Sequence, residues 1–540
     1  MYFHEAFARA LQAQGVTDVF GVLGDANLYL IDSWVRNCEG RFYSVSNEAG
    51  GVLAANGFGR TTGGLGVATV THGPALTNTV TALVESVRDR TPLLLIAGDT
   101  DVVDRENFQN ISQRDVVMPT GAGFEQLRSP QTVAEDVAVA VRRARVERRP
   151  IVLNVPAQFQ WQQVDDPGVS EVRWVQPQAV QPSPDALDAA LGVIASARRP
   201  IVLAGQGASS DTARAALVRL AGRIGAPLAT TLRARDLFHG EPHDLGVVGT
   251  LSHEVAADVV DSADCIIAFG AGLNKWTTAE GSVLAGKGVV HVDSDPASLA
   301  RFQTTHADVL GDVSATADAI IGLLDEAEIP STGFASDDLA ARLAQRRPDT
   351  FTDLSTEGAV DLRTAMIRLD EAFPRDRALV FDGGRWIFNA FKLFHVQHPR
   401  NYVHTVNFGA IGMGMGNAIG AAVGSGLPTL LCTGDGGFML GGLAEFNTAV
   451  RHGLDLVVVV FNDMAYGAEH IQFRNKNMDP ALSTFEWPEF ADVATALGGT
   501  GHTVRNLSDL DVALKVIEAR DRPVLIDIKI DPDKVSLAGH

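Results

Sequence analysis

The sequence predicts an α/β protein in which one chain forms three doubly wound parallel-sheet domains. Three observations point there. Apolar, strand-like runs recur along the chain, each followed by a turn and then a helical pattern. The runs are continuous rather than alternating, as expected of strands buried on both faces of a helix-covered parallel sheet. Two polar, Pro-bearing breaks divide the runs into three groups, and 540 residues accommodate three domains of ~100–200 residues each.

In order along the chain, residues 3–15 (FHEAFARALQAQG) read as an amphipathic helix with no apolar targeting core. The first group of runs covers 66–71, 92–98 and 150–156. The second covers 200–207, 265–272 and 288–295. The third covers 378–384, 428–437, 456–463 and 523–531. The breaks are 166–184, rich in Pro and Gln, and 326–358, which mixes Pro, Ser, Thr and charge around a short helical pattern. They bound domains at 1–165, 183–326 and 356–540. The first and third domains have room to share a fold, although identity does not reveal it. Ligands in such sheets bind beyond the carboxyl ends of the strands, so the Gly- and Asp-bearing strand ends are where to look.

Composition narrows the function classes. The net charge is −21, from 44 Lys+Arg against 65 Asp+Glu, with no basic cluster, which argues against nucleic acid as a partner. Cys38, Cys265 and Cys432 are far apart and odd in number, as expected of reduced thiols in a cytoplasmic protein rather than of a disulfide frame or a zinc site. The longest apolar runs, such as 454–461, are too short to span a bilayer, so no membrane partner is expected.

Two stretches carry chemistry. Around 430–467 a strand ends in Gly434-Asp435-Gly436, a helical segment follows, and a second strand ends in Asn462. Twenty-five residues separate Gly436 from Asn462, the length of one helix plus one strand in a βαβ unit. Asp435 and Asn462 are then expected on neighbouring strand ends. With the backbone carbonyl of Met464 they form a set of hard oxygen donors suited to Mg²⁺ or Ca²⁺. The glycines beside Asp435 let a phosphate approach the N–H groups of a helix start. The second stretch, 44–60 (SVSNEAGGVLAANGFGR), sets Glu48 before a run of small residues, and a helix start is the plain reading of that carboxylate.

Together these stretches resemble the thiamine diphosphate (ThDP) enzymes of the pyruvate decarboxylase and acetolactate synthase superfamily, over essentially the whole chain. The resemblance implies a pyrimidine-binding domain, a central domain and a diphosphate- and Mg²⁺-binding domain. It implies Asp435, Asn462 and Met464 as metal ligands and Gly434, Gly436 and Gly437 as diphosphate contacts. The family usually has Asn-Asn where this chain has Phe461-Asn462. Glu48 matches the family's glutamate, which bonds the pyrimidine ring nitrogen and promotes loss of the thiazolium proton. A glutamate in a partly dry pocket can hold or share such a proton at neutral pH. Small neighbours are expected to let the ring lie close to the backbone. Many members carry His before this glutamate, whereas this chain has Asn47.

The stretch 407–422 (NFGAIGMGMGNAIGAA) resembles the segment that wedges the cofactor into its bent shape, with Ile411 between the rings and the Gly409 carbonyl accepting from the exocyclic amine. It lacks a GxGxxG fingerprint and the acidic residue expected beyond one, which argues against a dinucleotide. The resemblance further assigns Asn78 and Gly384 to the cofactor. FAD, ADP or no ligand remains open for the central domain, whose glycine turns at 205–210 and 270–275 have a structural reading too.

For the substrate side the signals divide. Gly24-Asp25 is similar to the pair of pyruvate decarboxylases, where the aspartate handles protons, but their His-His pair is missing. The segment 106–115 is more similar to the acetolactate synthase group, with Gln109 as the matching glutamine. In 71–78 (THGPALTN) His72 replaces a serine and is either an acid/base or a loop histidine bonded to backbone. Glu469 and His470 are further substrate-side candidates, and Arg385 has either a substrate carboxylate or an acidic neighbour as partner. The leading expectation is an acetolactate-synthase-like enzyme that decarboxylates or ligates 2-oxo acids, its small-molecule substrate being a 2-oxo acid or an aldehyde. The alternatives are a 2-hydroxyacyl-CoA lyase or oxalyl-CoA decarboxylase relative, and a non-catalytic ThDP-binding protein. The resemblance also implies an obligate homodimer, commonly a homotetramer.

Overall fold

The structure is a computed structural model that describes residues 1–165, 178–347 and 350–534. It contains three six-stranded sheets, parallel throughout. The first is built from β1 (Asp18–Gly21), β2 (Arg41–Ser44), β3 (Gly66–Val70), β4 (Leu93–Asp99), β5 (Gly123–Gln126) and β6 (Pro150–Pro156), ordered β2-β1-β3-β4-β6-β5. The central sheet contains β7 (Pro200–Ala204), β8 (Leu228–Thr230), β9 (Asp244–Val247), β10 (Cys265–Phe269), β11 (Gly288–Asp293) and β12 (Ala307–Leu310), ordered β12-β11-β10-β7-β8-β9. The third contains β13 (Ala378–Phe381), β14 (Tyr402–His404), β15 (Thr429–Gly434), β16 (Leu456–Asn462), β17 (Thr500–Val504) and β18 (Val524–Lys529), ordered β14-β13-β15-β16-β18-β17.

The first and third sheets therefore share one winding, the kinship that sequence identity did not reveal. Each read run contains a strand, and each of those strands is interior to its sheet. The break at 166–184 lies largely outside the described residues, and the one at 326–358 contains the helix Asp337–Gln345.

The described residues form two compact units, one built on the first and third sheets and the other on the central sheet. In the first unit a single apolar cluster runs through both sheets. Its seam is the pair of helices Glu48–Thr62 and Gly414–Ser425. Both are rich in small residues, so their backbones approach closely. A side chain at Gly420 would collide with the Ala54 carbonyl, and one at Gly416 would lie 2.8 Å from the Leu53 side chain. Within the seam Asn56 Nδ2 donates to Asn417 Oδ1 at 3.0 Å, a hydrogen bond between two buried amides. The small residues after Glu48 thus serve close helix packing.

In the central unit the two glycine turns close on each other. Gly205 N–H donates to the Phe269 carbonyl at 2.8 Å, and Gly207 N–H donates to that of Gly270 at 3.0 Å. This gives both turns a structural role. All three cysteines are buried free thiols, and burial pushes the Cys265 thiol up to about 12, which makes it inert at neutral pH. Among the described residues no helix is long and apolar enough to cross a membrane.

Candidate active site

β15 and β16 pair in register, with Gly434 opposite Phe461, so Asp435 and Asn462 emerge from adjacent strand ends as their spacing predicts. Past Asp435 the chain turns at once into a helical run to Arg451 that is interrupted by a π-turn over Phe438–Gly442. Such turns concentrate at functional sites. Asp435 is buried, and one of its oxygens accepts from Trp487 Nε1 at 2.8 Å and from Ala465 N–H at 3.1 Å. Asn462 donates its amide to Asp527 at 2.9 Å, which fixes the amide oxygen on the opposite side, where it accepts from Met464 N–H at 3.1 Å. Met464 has φ of +54°, a left-handed conformation that a side chain as long as Met seldom adopts. Its carbonyl accepts from Phe485 N–H at 2.8 Å, leaving one lone pair.

The charge balance tests whether a divalent cation fits here. Asp435 and Asp463 are both buried, and among the described residues the one side-chain cation bonded to either is Arg385, 2.9 Å from Asp463. Burial, and then the neighbouring Asp463 charge, push the Asp435 carboxyl up to about 7. A buried carboxylate without a cation, an amide oxygen and a strained backbone carbonyl form a donor set that a hard divalent cation completes. Among the described residues no three His, Cys, Asp or Glu side chains gather into a conventional metal cluster, so the mixed oxygen set is the one candidate.

An anion fits beside it. Among the described residues the buried Trp386 indole N–H has no partner, and a side chain at Gly434 would lie 3.3 Å from it. Arg385 also has two buried donors, Nε and Nη1, without partners. Gly436 has no space for a side chain because the Tyr466 ring lies 2.6 Å from where its Cβ would be. Orphaned buried donors beside glycine backbone at a helix start suit phosphate oxygens. Gly437 shares the same turn, and Gly384 lies against the Trp386 ring.

Gly409 and Ile411 lie in the segment leading into Gly414–Ser425. Gly409 is exposed with φ of +82°, and Ile411 is half-buried. The buried Asp382, at the end of β13, accepts from Gly412 N–H at 3.0 Å and Met413 N–H at 3.3 Å and so ties this segment to the strand ends. Motif reasoning missed Trp386 and Asp382. Trp386 carries no recognisable signal, and Asp382 is seen only as one more strand-end acid.

In the first sheet, Glu48 opens its helix and is half-buried, and Asn78 Nδ2 donates to its Oε2 at 2.9 Å. Asn47 is the N-cap, its side chain accepting from Ala49 N–H at 2.9 Å, a role the usual histidine would fill less well. The loop ending at Asn78 also carries His72. His72 Nε2 lies 3.6 Å from Asp25, its buried Nδ1 has no partner among the described residues, and Thr71 donates to the same Asp25 oxygen at 3.2 Å. The Gln109 backbone packs against Gly73, the residue that follows His72.

Elsewhere the residues are committed differently. Arg385 takes the acidic-neighbour option. Glu469 is exposed, while His470 is buried and paired with Asp533 at 3.1 Å.

Three stretches of the chain match known domains. Residues 1–117 match the N-terminal TPP binding domain of thiamine pyrophosphate enzymes, 187–320 their central domain and 382–528 their C-terminal TPP binding domain. Relatives include a probable acetolactate synthase large subunit of Methanocaldococcus jannaschii, 25% identical over 98% of this chain and 92% of its own. A sulfoacetaldehyde acetyltransferase of Castellaniella defragrans is 26% identical over 95% and 89%. The acetolactate synthase isozyme 2 large subunit of Escherichia coli is 26% identical over 97% and 94%. The chain belongs to the thiamine diphosphate-dependent enzyme superfamily.

Proposed function

We propose that the protein is a Mg²⁺- and ThDP-dependent enzyme that decarboxylates 2-oxo acids, joins the resulting two-electron fragment to a second carbonyl compound, or both. The observation that carries this reading is the uncompensated buried carboxylate of Asp435 beside the Asn462 amide oxygen and the strained Met464 carbonyl. These three groups would hold Mg²⁺. Trp386 N–H and the N–H groups of 434–437 would bind the diphosphate.

When bound, the cofactor supplies an electron sink next to a substrate carbonyl. Glu48, oriented by Asn78, holds or shares a proton at the pyrimidine ring nitrogen. The Gly409 carbonyl and Ile411 orient the rings. Asp25 and His72, with Gln109 beside them, move a proton at the substrate. Their pairing supports protonation of a released product as well as carboligation. Residues 1–165 would act as the pyrimidine domain and 356–540 as the diphosphate domain, brought together in a homodimer and its dimer.

The test is CO₂ release from a panel of 2-oxo acids, with and without ThDP and Mg²⁺, using Glu48→Gln as the control. Release that needs both additives and is lost in Glu48→Gln supports the reading. Release that is indifferent to them contradicts it.

A further inference from the structure

The segment 405–412, which carries Gly409 and Ile411, has no helix or strand of its own, yet buried carboxylates hold it at both ends. Asp382 binds its far end, as described above. At its near end the carboxylate is Glu85, fully buried on the helix Val80–Asp89. Glu85 Oε1 accepts from Asn407 N–H at 3.1 Å and from Asn407 Nδ2 at 2.6 Å, and Oε2 accepts from Phe408 N–H at 2.6 Å. One turn on, the Arg88 guanidinium lies 4.6 Å from the Phe408 ring centroid and donates to the Asn407 carbonyl at 3.3 Å. Asp89 accepts from Asn407 Nδ2 at 3.4 Å.

One helix thus grips two consecutive residues by their N–H groups, one carbonyl, one side-chain amide and one ring. A buried carboxylate is costly, and a single acceptor would suffice to satisfy one N–H. Two oxygens bonded to successive N–H groups do more, because they fix the direction in which the chain leaves Phe408. The next residues are Gly409 to Ile411. The same helix begins two residues after Asn78, which holds Glu48.

We infer that Glu85, with Arg88, is a positioning device that aims the Gly409 carbonyl and Ile411 at the ring half of the cofactor. The inference rests on the thiamine reading of the preceding subsection. It adds a residue of the first sheet's domain that acts on the ring-facing segment of the third sheet's domain. Glu85 touches no part of the cofactor. It acts through Asn407 and Phe408, so its loss should be felt at the rings and not at the diphosphate.

The test is calorimetric titration of the full-length protein, in excess Mg²⁺, with ThDP and separately with inorganic diphosphate. The variants are Glu85→Ala, Glu85→Gln and the exposed-side Arg88→Ala. The expected result for Glu85→Ala is about tenfold weaker ThDP binding, with diphosphate affinity changed less than about twofold. Glu85→Gln, which keeps one acceptor, should fall between Glu85→Ala and wild type. Arg88→Ala should weaken ThDP about threefold. Arg88→Ala carries the test if Glu85→Ala does not fold. Unchanged ThDP affinity in the folded variants, or parallel loss of both ligands, overturns the inference. Wild-type protein that binds diphosphate but not ThDP overturns the thiamine reading itself, and that outcome is distinct because it appears before any substitution is made.

Discussion

The first and third sheets have the same strand order, and the acids at their strand ends lie in opposite surroundings. Beyond the third sheet, Asp382, Asp435 and Asp463 are all buried, and of these only Asp463 bonds a side-chain cation, Arg385. Beyond the first sheet, Glu48 and Asp25 are partly or largely exposed, beside Asn78 and His72. One set is starved of positive charge and suits a metal and a phosphate. The other keeps carboxylates near water and near a histidine, where protons can move. The difference teaches that the shared winding supplies only positions, while the residues at the strand ends decide the chemistry.

Substitutions can break this comparison. The largest effect should come from the proton side. Glu48→Gln should lower kcat about 10²–10⁴-fold while leaving ThDP affinity nearly unchanged, measured by steady-state kinetics and calorimetry. Next comes the charge-starved side. Asp435→Asn should weaken Mg²⁺-supported ThDP binding about a hundredfold, with the apoprotein no less stable, because a buried uncompensated charge has gone. If the two substitutions produced the same kind of defect, the contrast between the sheets would be false.

The central sheet sharpens the comparison, since it carries a half-buried acid with no assigned chemistry. Burial, and then Asp236 and Glu241, push Asp244 up to about 6. Its folded value lies above its unfolded one (~3.9), so its contribution to stability is present below about 4 and lost as pH rises through about 6. Asp244→Asn should therefore gain on wild type by roughly 2 kcal/mol at pH 8 but not at pH 4, read from denaturant unfolding at both. The smallest effect expected is for Asn47→Ala. Losing that N-cap should cost about 1 kcal/mol of stability.

What the sequence made legible follows the same physics. The interior strands, apolar on both faces, were readable as continuous runs. The sheet edges were not: β2, β5, β9, β12, β14 and β17 are short or half-exposed, with burial that alternates in β12 and is only partial along β17. Interior β1 and β8 were too short to stand out.

In the site, Asp435 and Asn462 were legible because a βαβ unit converts their spacing into adjacency. Glu48 enters the candidate site only through the resemblance. Glu85, Trp386 and the partner of Arg385 were not legible, because each depends on segments far apart in sequence meeting in space. Glu85 is 322 residues from Asn407, and Arg385 is 78 from Asp463. His470 looked like a site residue by its position after Asn462, and only the fold revealed that Asp533 occupies it.

The most direct test of the central claim is a calorimetric titration of the wild-type protein with ThDP, with and without Mg²⁺, repeated on Asp435→Asn. The account predicts saturable binding that requires the cation and is largely lost in the variant. Tight binding that ignores both the cation and the substitution would contradict it.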